Sequence, residues 1–202
     1  MLKELFEAHF YGTFHKKDNV PLMLNELTQI GNFGLVDPKA CLGCRFVCNV
    51  NPNQREQLKV TCNQHVNIIN VEQVFSFVKE DVGEVCDYLL DGSNFSILVE
   101  MTCSTTEYVQ GKRTKARGQL YNALEKLYTC PSVKEHIERK GTRYVIFSWR
   151  ETFPINSEID DIEKNMRDMT LLADSVYSPD NESKFDFGFM LREIRYPYVL
   201  AC

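Results

Sequence analysis

Two carboxylates stand out because each interrupts an apolar strand pattern. Asp87 falls within Val85-Cys86-Asp87-Tyr88-Leu89-Leu90, and Glu100 within Phe95-Ser96-Ile97-Leu98-Val99-Glu100-Met101. Between them, Asp91-Gly92-Ser93-Asn94 has the composition of a hairpin turn. The pattern predicts two neighbouring strands carrying the two acids toward one end. Carboxylates so placed in a low dielectric repel each other unless a cation lies between them. Hard divalent ions such as Mg²⁺ or Mn²⁺ prefer such oxygen ligands. A metal there could polarise a phosphoryl oxygen or activate a water for in-line attack on a phosphodiester. In the alternative reading, Asp87 faces solvent beside the turn and Glu100 pairs with a nearby base.

A second constellation is built from soft ligands. The chain has eight cysteines, and Cys41-x2-Cys44 is followed after 17 residues by Cys62-x2-His65. Two such pairs suit a structural tetrahedral zinc, with residues 41–65 as a zinc-knuckle hairpin and Cys48 as a substitute ligand. Cys48 and Cys62 also fit an alternating strand rhythm, in which cysteine acts as a small buried hydrophobe. Cys103, Cys130 and Cys202 form no motif, and no histidine can be assigned to a cysteine nucleophile.

The elements that must position these residues follow from periodicity. Residues 2–11 have a helical rhythm, and a second helix is expected after Pro21, with Leu22, Leu24, Leu27 and Ile30 apolar and Gly31 near its end. Phe46, Cys48 and Val50 alternate, as do Leu58, Val60 and Cys62, which suggests a hairpin across the polar turn 51–54. Val66, Ile68 and Ile69 read as a further extended segment. The segment FSILVEM is apolar nearly throughout, which predicts a central strand. A long helix is expected from Thr106 to Tyr128, with Val109, Ala116, Leu120, Leu124 and Leu127 as its stripe. A short helix over 132–140, a strand over 143–149, a helix over 159–175 and extended segments over 185–200 complete the reading. The fold class is α/β (α+β): one domain over 1–202 with a mixed central sheet flanked by helices.

Composition sets outer limits. With 44% hydrophobic and 25% charged residues the chain reads as a soluble globular protein. No run approaches the roughly 20 apolar residues of a membrane span, and the N-terminus lacks a signal-peptide core; the expectation is a cytoplasmic protein with no membrane partner. A net charge of −5 argues against a general nucleic-acid coat protein. Local basic clusters at Lys112, Arg113, Lys115 and Arg117, and at Arg139, Lys140, Arg143 and Arg150, could meet phosphates or form solvated faces.

The string VCDYLL, the turn, SILVEMT and then ARGQLYNAL resembles the PD-(D/E)XK nuclease superfamily over about residues 84–128. Its members share a hairpin bearing Asp and then Glu-x-Lys, followed by a helix with a Gln-Leu pair. The resemblance aligns Asp87 with the PD aspartate (Cys86 standing for the proline), Glu100 with the acidic residue of the second motif, and Gln119-Leu120 with the helical pair. It implies a restriction-endonuclease-like core, Mg or Mn as cofactor, and DNA or RNA as substrate.

Thr102 occupies the lysine position, where a cation would orient the attacking water and stabilise developing charge. In viral cap-snatching endonucleases the lysine sits instead on the following helix. Lys112 and Lys115 are the counterparts here, sharing a helical face with Gln119 and Asn122, and Lys115 is the preferred one. The resemblance also implies a further ligand from an N-terminal helix: Glu26 by position, with His15 and Glu56 behind it. The missing lysine leaves a second function open, a catalytically degenerate module that binds nucleic acid or a protein partner. A third reading is a zinc-stabilised adaptor. Oligomeric state is not legible.

Overall fold

A computed structural model of the chain describes residues 2–17, 20, 24–27, 31–36, 48–49, 58–78, 83–104, 108–151, 182–196 and 198–202. The chain opens with helix α1 (Leu2–Glu4), continued by a π-helical run over Leu5–Phe14. Strands β1 (Leu24–Leu27), β2 (Gly31–Leu35), β3 (Cys48–Asn49), β4 (Leu58–Cys62) and β5 (Val66–Asn70) follow, then α2 (Val71–Ser76). The central part comprises β6 (Tyr88–Gly92), β7 (Phe95–Ser104), α3 (Val109–Tyr128), α4 (Pro131–Glu138) and β8 (Thr142–Glu151). Strands β9 (Glu182–Lys184), β10 (Met190–Arg195) and β11 (Val199–Ala201) end it.

Seven strands form one mixed sheet in the order β1-β5-β6-β7-β8-β10-β9, with β7 at its centre. Pairing is antiparallel from β1 through β7 and between β10 and β9, and parallel for β7-β8 and β8-β10. The parallel β7-β8 step requires a crossover, which α3 and α4 supply. A second, four-stranded sheet has the order β11-β4-β2-β3. The chain is thus a mixed α+β protein whose mixed sheet is flanked by helices, as composition and pattern predict.

Alternation along β7 decides which layer each side chain meets. Leu98 belongs to the cluster shared with Phe6, Phe10, Leu120, Leu124 and Leu127, on the helical side. Ile97, Val99 and Met101 belong to the cluster shared with Phe33, Leu35, Leu58, Val60 and Leu200, on the side of the second sheet. Both faces of β7 are therefore covered, which is why the strand reads as a continuous apolar run.

Helix α3 buries Val109, Ala116, Gln119, Leu120, Ala123, Leu124 and Leu127, a stripe at three- and four-residue spacing. Pro131 starts α4 at a position where its missing N–H costs nothing. The Asn70 side chain caps α2 by accepting from the Gln73 N–H at 2.9 Å. At the β6-β7 turn, a Cβ on Gly92 would lie 2.3 Å from the Phe95 ring, so a side chain is excluded there.

The structure corrects two expectations. The segment after Pro21 is not helical where it is described: Leu24–Leu27 is strand β1, paired antiparallel with β5 from Leu24↔Ile69 to Leu27↔Val66. Its short apolar spacing fits either period, and the unpaired edge of β5 decides between them. Nor do β3 and β4 form a hairpin, since β2 lies between them and pairs with both. The expected helix over 159–175 lies outside the described residues. No described helix is long and apolar enough to cross a membrane.

Candidate metal and phosphate site

The β6-β7 hairpin brings the two predicted acids together. Tyr88 pairs with Val99, and the Asp87 N–H donates to the Val99 carbonyl at 3.0 Å, which sets Asp87 just before β6 and beside the Glu100 end of β7. Both are buried, at 3% and 8% exposure. The Asp87 Oδ2 accepts from the Met101 N–H at 2.8 Å, which fixes the carboxylate against β7. Glu100 alternates along β7 with Val99 and Met101, which meet the second sheet, so it faces the other way, and both acids lie on the side of α3.

There they line a pocket of about 120 Å³ with Thr102, Lys112, Lys115, Ala116, Gln119 and Phe147. Every residue expected to take part through the hairpin or the helix lies at this one place. The charge is felt beneath it. Burial pushes the Cys86 thiol up, and the nearby charges of Glu100 and then Asp87 push it further. Glu72, in the first turn of α2, adds a smaller push; its acid was missed in sequence, where only the cap Asn70 two residues earlier marks its position.

Two amides hold the approach to Asp87. Gln119 donates from Nε2 to the Val85 carbonyl at 3.2 Å, and Asn122 donates from Nδ2 to the Glu84 carbonyl, also at 3.2 Å. Gln119 is 6% exposed, so its amide positions the backbone and leaves little surface for a substrate. The Val71 N–H donates to the Asp87 carbonyl at 2.9 Å from the other side.

The lysines differ. The Lys115 Nζ lies 2.8 Å from Glu84 Oε2, in a pair whose side chains are 52% and 60% exposed. Lys112, one turn earlier on the same face, makes no ion pair among the described residues. The other cations of this cluster are engaged within the protein: Arg113 with Glu193 at 2.8 Å, and Arg117 over the Phe185 ring at 5.3 Å. In the second cluster, Arg139 pairs with Glu135, Lys140 lies against Asp91, and Arg150 stacks on Tyr196 at 4.2 Å.

Asp87 and Glu100 are two hard oxygen donors on one wall of a small pocket, a set that suits Mg²⁺ or Mn²⁺ completed by water or phosphate oxygens. The expected third ligand is not on a helix: Glu26 lies in β1, paired with Asn67, and its side chain lies outside the described residues. His15 ends the π-helical run against the Phe10 and Phe14 rings and does not line the pocket. Glu56 lies outside the described residues.

Of the expected zinc ligands, Cys41 and Cys44 lie outside the described residues. Cys62 is buried at 1% exposure in the core between the sheets. The Cys202 thiol donates to its sulfur and holds it below the usual cysteine range. His65 is exposed, with Nε2 at 3.2 Å from Asn67 Oδ1. Among the described residues, no cluster of three or more histidine, cysteine, aspartate or glutamate side chains is placed to hold a metal.

A further polar cluster was not anticipated, because Asp91 reads as a turn residue in sequence. It belongs to β6 and is buried; its carboxylate meets Ser96 Oγ at 2.7 Å, His136 Nε2 at 3.1 Å and Lys140 Nζ at 3.4 Å. Asp87 and Asp91 thus mark opposite ends of one strand edge. One faces the pocket and the other ties the hairpin to α4. No family model, curated protein or solved structure matches the chain.

Proposed function

We propose that the chain is a metal-dependent nuclease of the PD-(D/E)XK type, hydrolysing phosphodiester bonds of DNA or RNA. The observation that carries this reading is the convergence of Asp87, Glu100, Lys112, Lys115 and Gln119 on one pocket. The order hairpin, helix, parallel strand is compatible with a restriction-endonuclease-like core.

Asp87 and Glu100 would hold Mg²⁺ or Mn²⁺, which when bound supplies Lewis-acid polarisation of a phosphoryl oxygen and a water of lowered pKa. Lys112 is the cation best placed to meet the scissile phosphate, because it lines the pocket and Lys115 is engaged by Glu84. This reverses the preference drawn from spacing. Gln119 acts as a positioning residue through the Val85 carbonyl, and Thr102 contributes a hydroxyl where a cation is absent.

The test is Mn²⁺-dependent cleavage of single- and double-stranded DNA and RNA by the full chain. Cleavage abolished in Asp87→Ala and Glu100→Ala, and reduced by Lys112→Ala more than by Lys115→Ala, is the expected result. No cleavage of any substrate, together with no Mn²⁺ binding by calorimetry, would sink the proposal.

A second reading is a nuclease fold that has lost catalysis and binds nucleic acid or a protein partner. Thr102 at the lysine position and the Lys115–Glu84 ion pair favour it. Mn²⁺ or nucleic-acid binding without turnover would select this reading.

A further inference from the structure

The parallel pairing of β4 and β11 sets two cysteines side by side. The Cys202 N–H donates to the Thr61 carbonyl at 2.8 Å, and the Asn63 N–H donates to the Cys202 carbonyl at 3.4 Å. Those two bonds bracket residue 62 and mark it as the direct partner of 202, one step beyond the Ala201↔Thr61 pair. Neighbouring strands lie about 4.8 Å apart, inside the roughly 4.4–6.8 Å Cα separation that a disulfide bridges. Both residues are free thiols, and the Cys202 S–H donates to the Cys62 sulfur. Cys62 is sealed in the core, whereas Cys202 lines a cavity of about 270 Å³ with Gln64, Tyr144 and Arg192. One sulfur of the pair can be reached by a small reagent, and the other lies directly behind it.

We propose that Cys62 and Cys202 are a redox modification site, a dithiol that a small disulfide of the glutathione class converts to an intramolecular disulfide. When the pair has lost one proton, the Cys202 thiol passes its own to the Cys62 sulfur along their hydrogen bond and attacks one sulfur of glutathione disulfide, breaking that S–S bond and releasing one glutathione thiol. The Cys62 thiol then gives up its proton and attacks the Cys202 sulfur of the mixed disulfide, expelling the second glutathione thiol. Two protein thiols are oxidised and one glutathione disulfide is reduced to two thiols. The product joins β11 covalently to β4. The same exchange run in reverse by reduced glutathione returns both protein thiols.

The full chain, reduced, desalted and held in EDTA, is treated with oxidised glutathione and mapped by peptide mass spectrometry. A Cys62–Cys202 cross-linked peptide, lost again on adding reduced glutathione, is the expected result. Cys62→Ala should instead retain a glutathione adduct on Cys202, and Cys202→Ser should leave Cys62 unmodified in its buried place. Both residues remaining thiols, a wild-type adduct on Cys202 that never resolves, or a cross-link from Cys62 to another cysteine would each overturn the proposal. So would one zinc per chain held through Cys62 in the untreated protein. Because Cys202→Ser alters a part-exposed residue, the test survives failure of Cys62→Ala to fold.

Discussion

Replacing Asp91 by asparagine keeps the shape of the side chain and removes its charge, which makes it a sharp probe of how the hairpin is anchored. The carboxylate is 4% exposed and the Lys140 side chain 9%, so the loss leaves an ammonium in a poorly solvated place. Breaking a buried ion pair by removing one partner costs about 3–5 kcal/mol. Two contacts soften that here: Lys140 keeps its bond to the Gly92 carbonyl at 2.6 Å, and the neighbouring cavity of about 430 Å³ gives water a route to it. An asparagine amide can still accept from Ser96. The expected loss is therefore about 2–3 kcal/mol, the low end of that range and below it. At about 2–4 °C per kcal/mol for a chain of this size, Tm should fall by roughly 4–12 °C. Urea unfolding followed by circular dichroism gives the free energy directly. On a Lys140→Met background the same substitution should cost at least about 1 kcal/mol less, since the stranded charge is gone. A loss below about 0.5 kcal/mol, or an equal loss on both backgrounds, would refute the argument.

Three further outcomes follow from the geometry. Gly118→Ala in α3 adds a Cβ that meets nothing within 4 Å and should stabilise the chain by about 0.5–1 kcal/mol in chemical denaturation. Gln119→Leu strands the buried Val85 carbonyl, so stability should fall by about 1–3 kcal/mol; Mn²⁺ affinity measured by calorimetry should weaken as well, because the segment leading to Asp87 loosens. Finally, hydrogen bonding from Arg192 holds the Glu182 carboxyl below its ordinary value of 4.5. A depressed folded value means the contribution is present above that pH and disappears as pH falls through the folded value. Glu182→Gln should therefore lower stability slightly at pH 7, where the contribution is present, flatten the acid limb of a stability–pH profile below about pH 4.5, and converge on the wild type in acid.

The parts of the fold legible in sequence are those whose partners lie close by. The β6-β7 hairpin, α3 and β8 announce themselves through turn composition, an unbroken apolar run and a helical stripe. The acids that interrupt the run led directly to the pocket. What escaped depends on distant partners. β1 is a strand because β5 offers an edge some forty residues later, and nothing local distinguishes it from a helix. Asp91 looked like half of an Asp-Gly turn, because His136 and Lys140, which make it an internal anchor, arrive on another element. The preference for Lys115 rested on helical phase alone, and phase cannot reveal that Glu84 waits opposite. In sequence Cys62 groups with Cys41, Cys44 and His65, while its neighbour in space is Cys202.

The pocket and the β4-β11 pairing differ in how far apart along the chain their parts originate, and that bears on the order of assembly. Everything lining the pocket except Phe147 comes from residues 87–119, one uninterrupted stretch. The second sheet joins residues 59–61 to 199–201. Short loops close at little entropic cost and long ones at more. The hairpin and α3 can thus nucleate early, while the second sheet is complete only once β11 has joined β4. In a refolding experiment the pocket should acquire its amide protection ahead of the β4-β11 pairing.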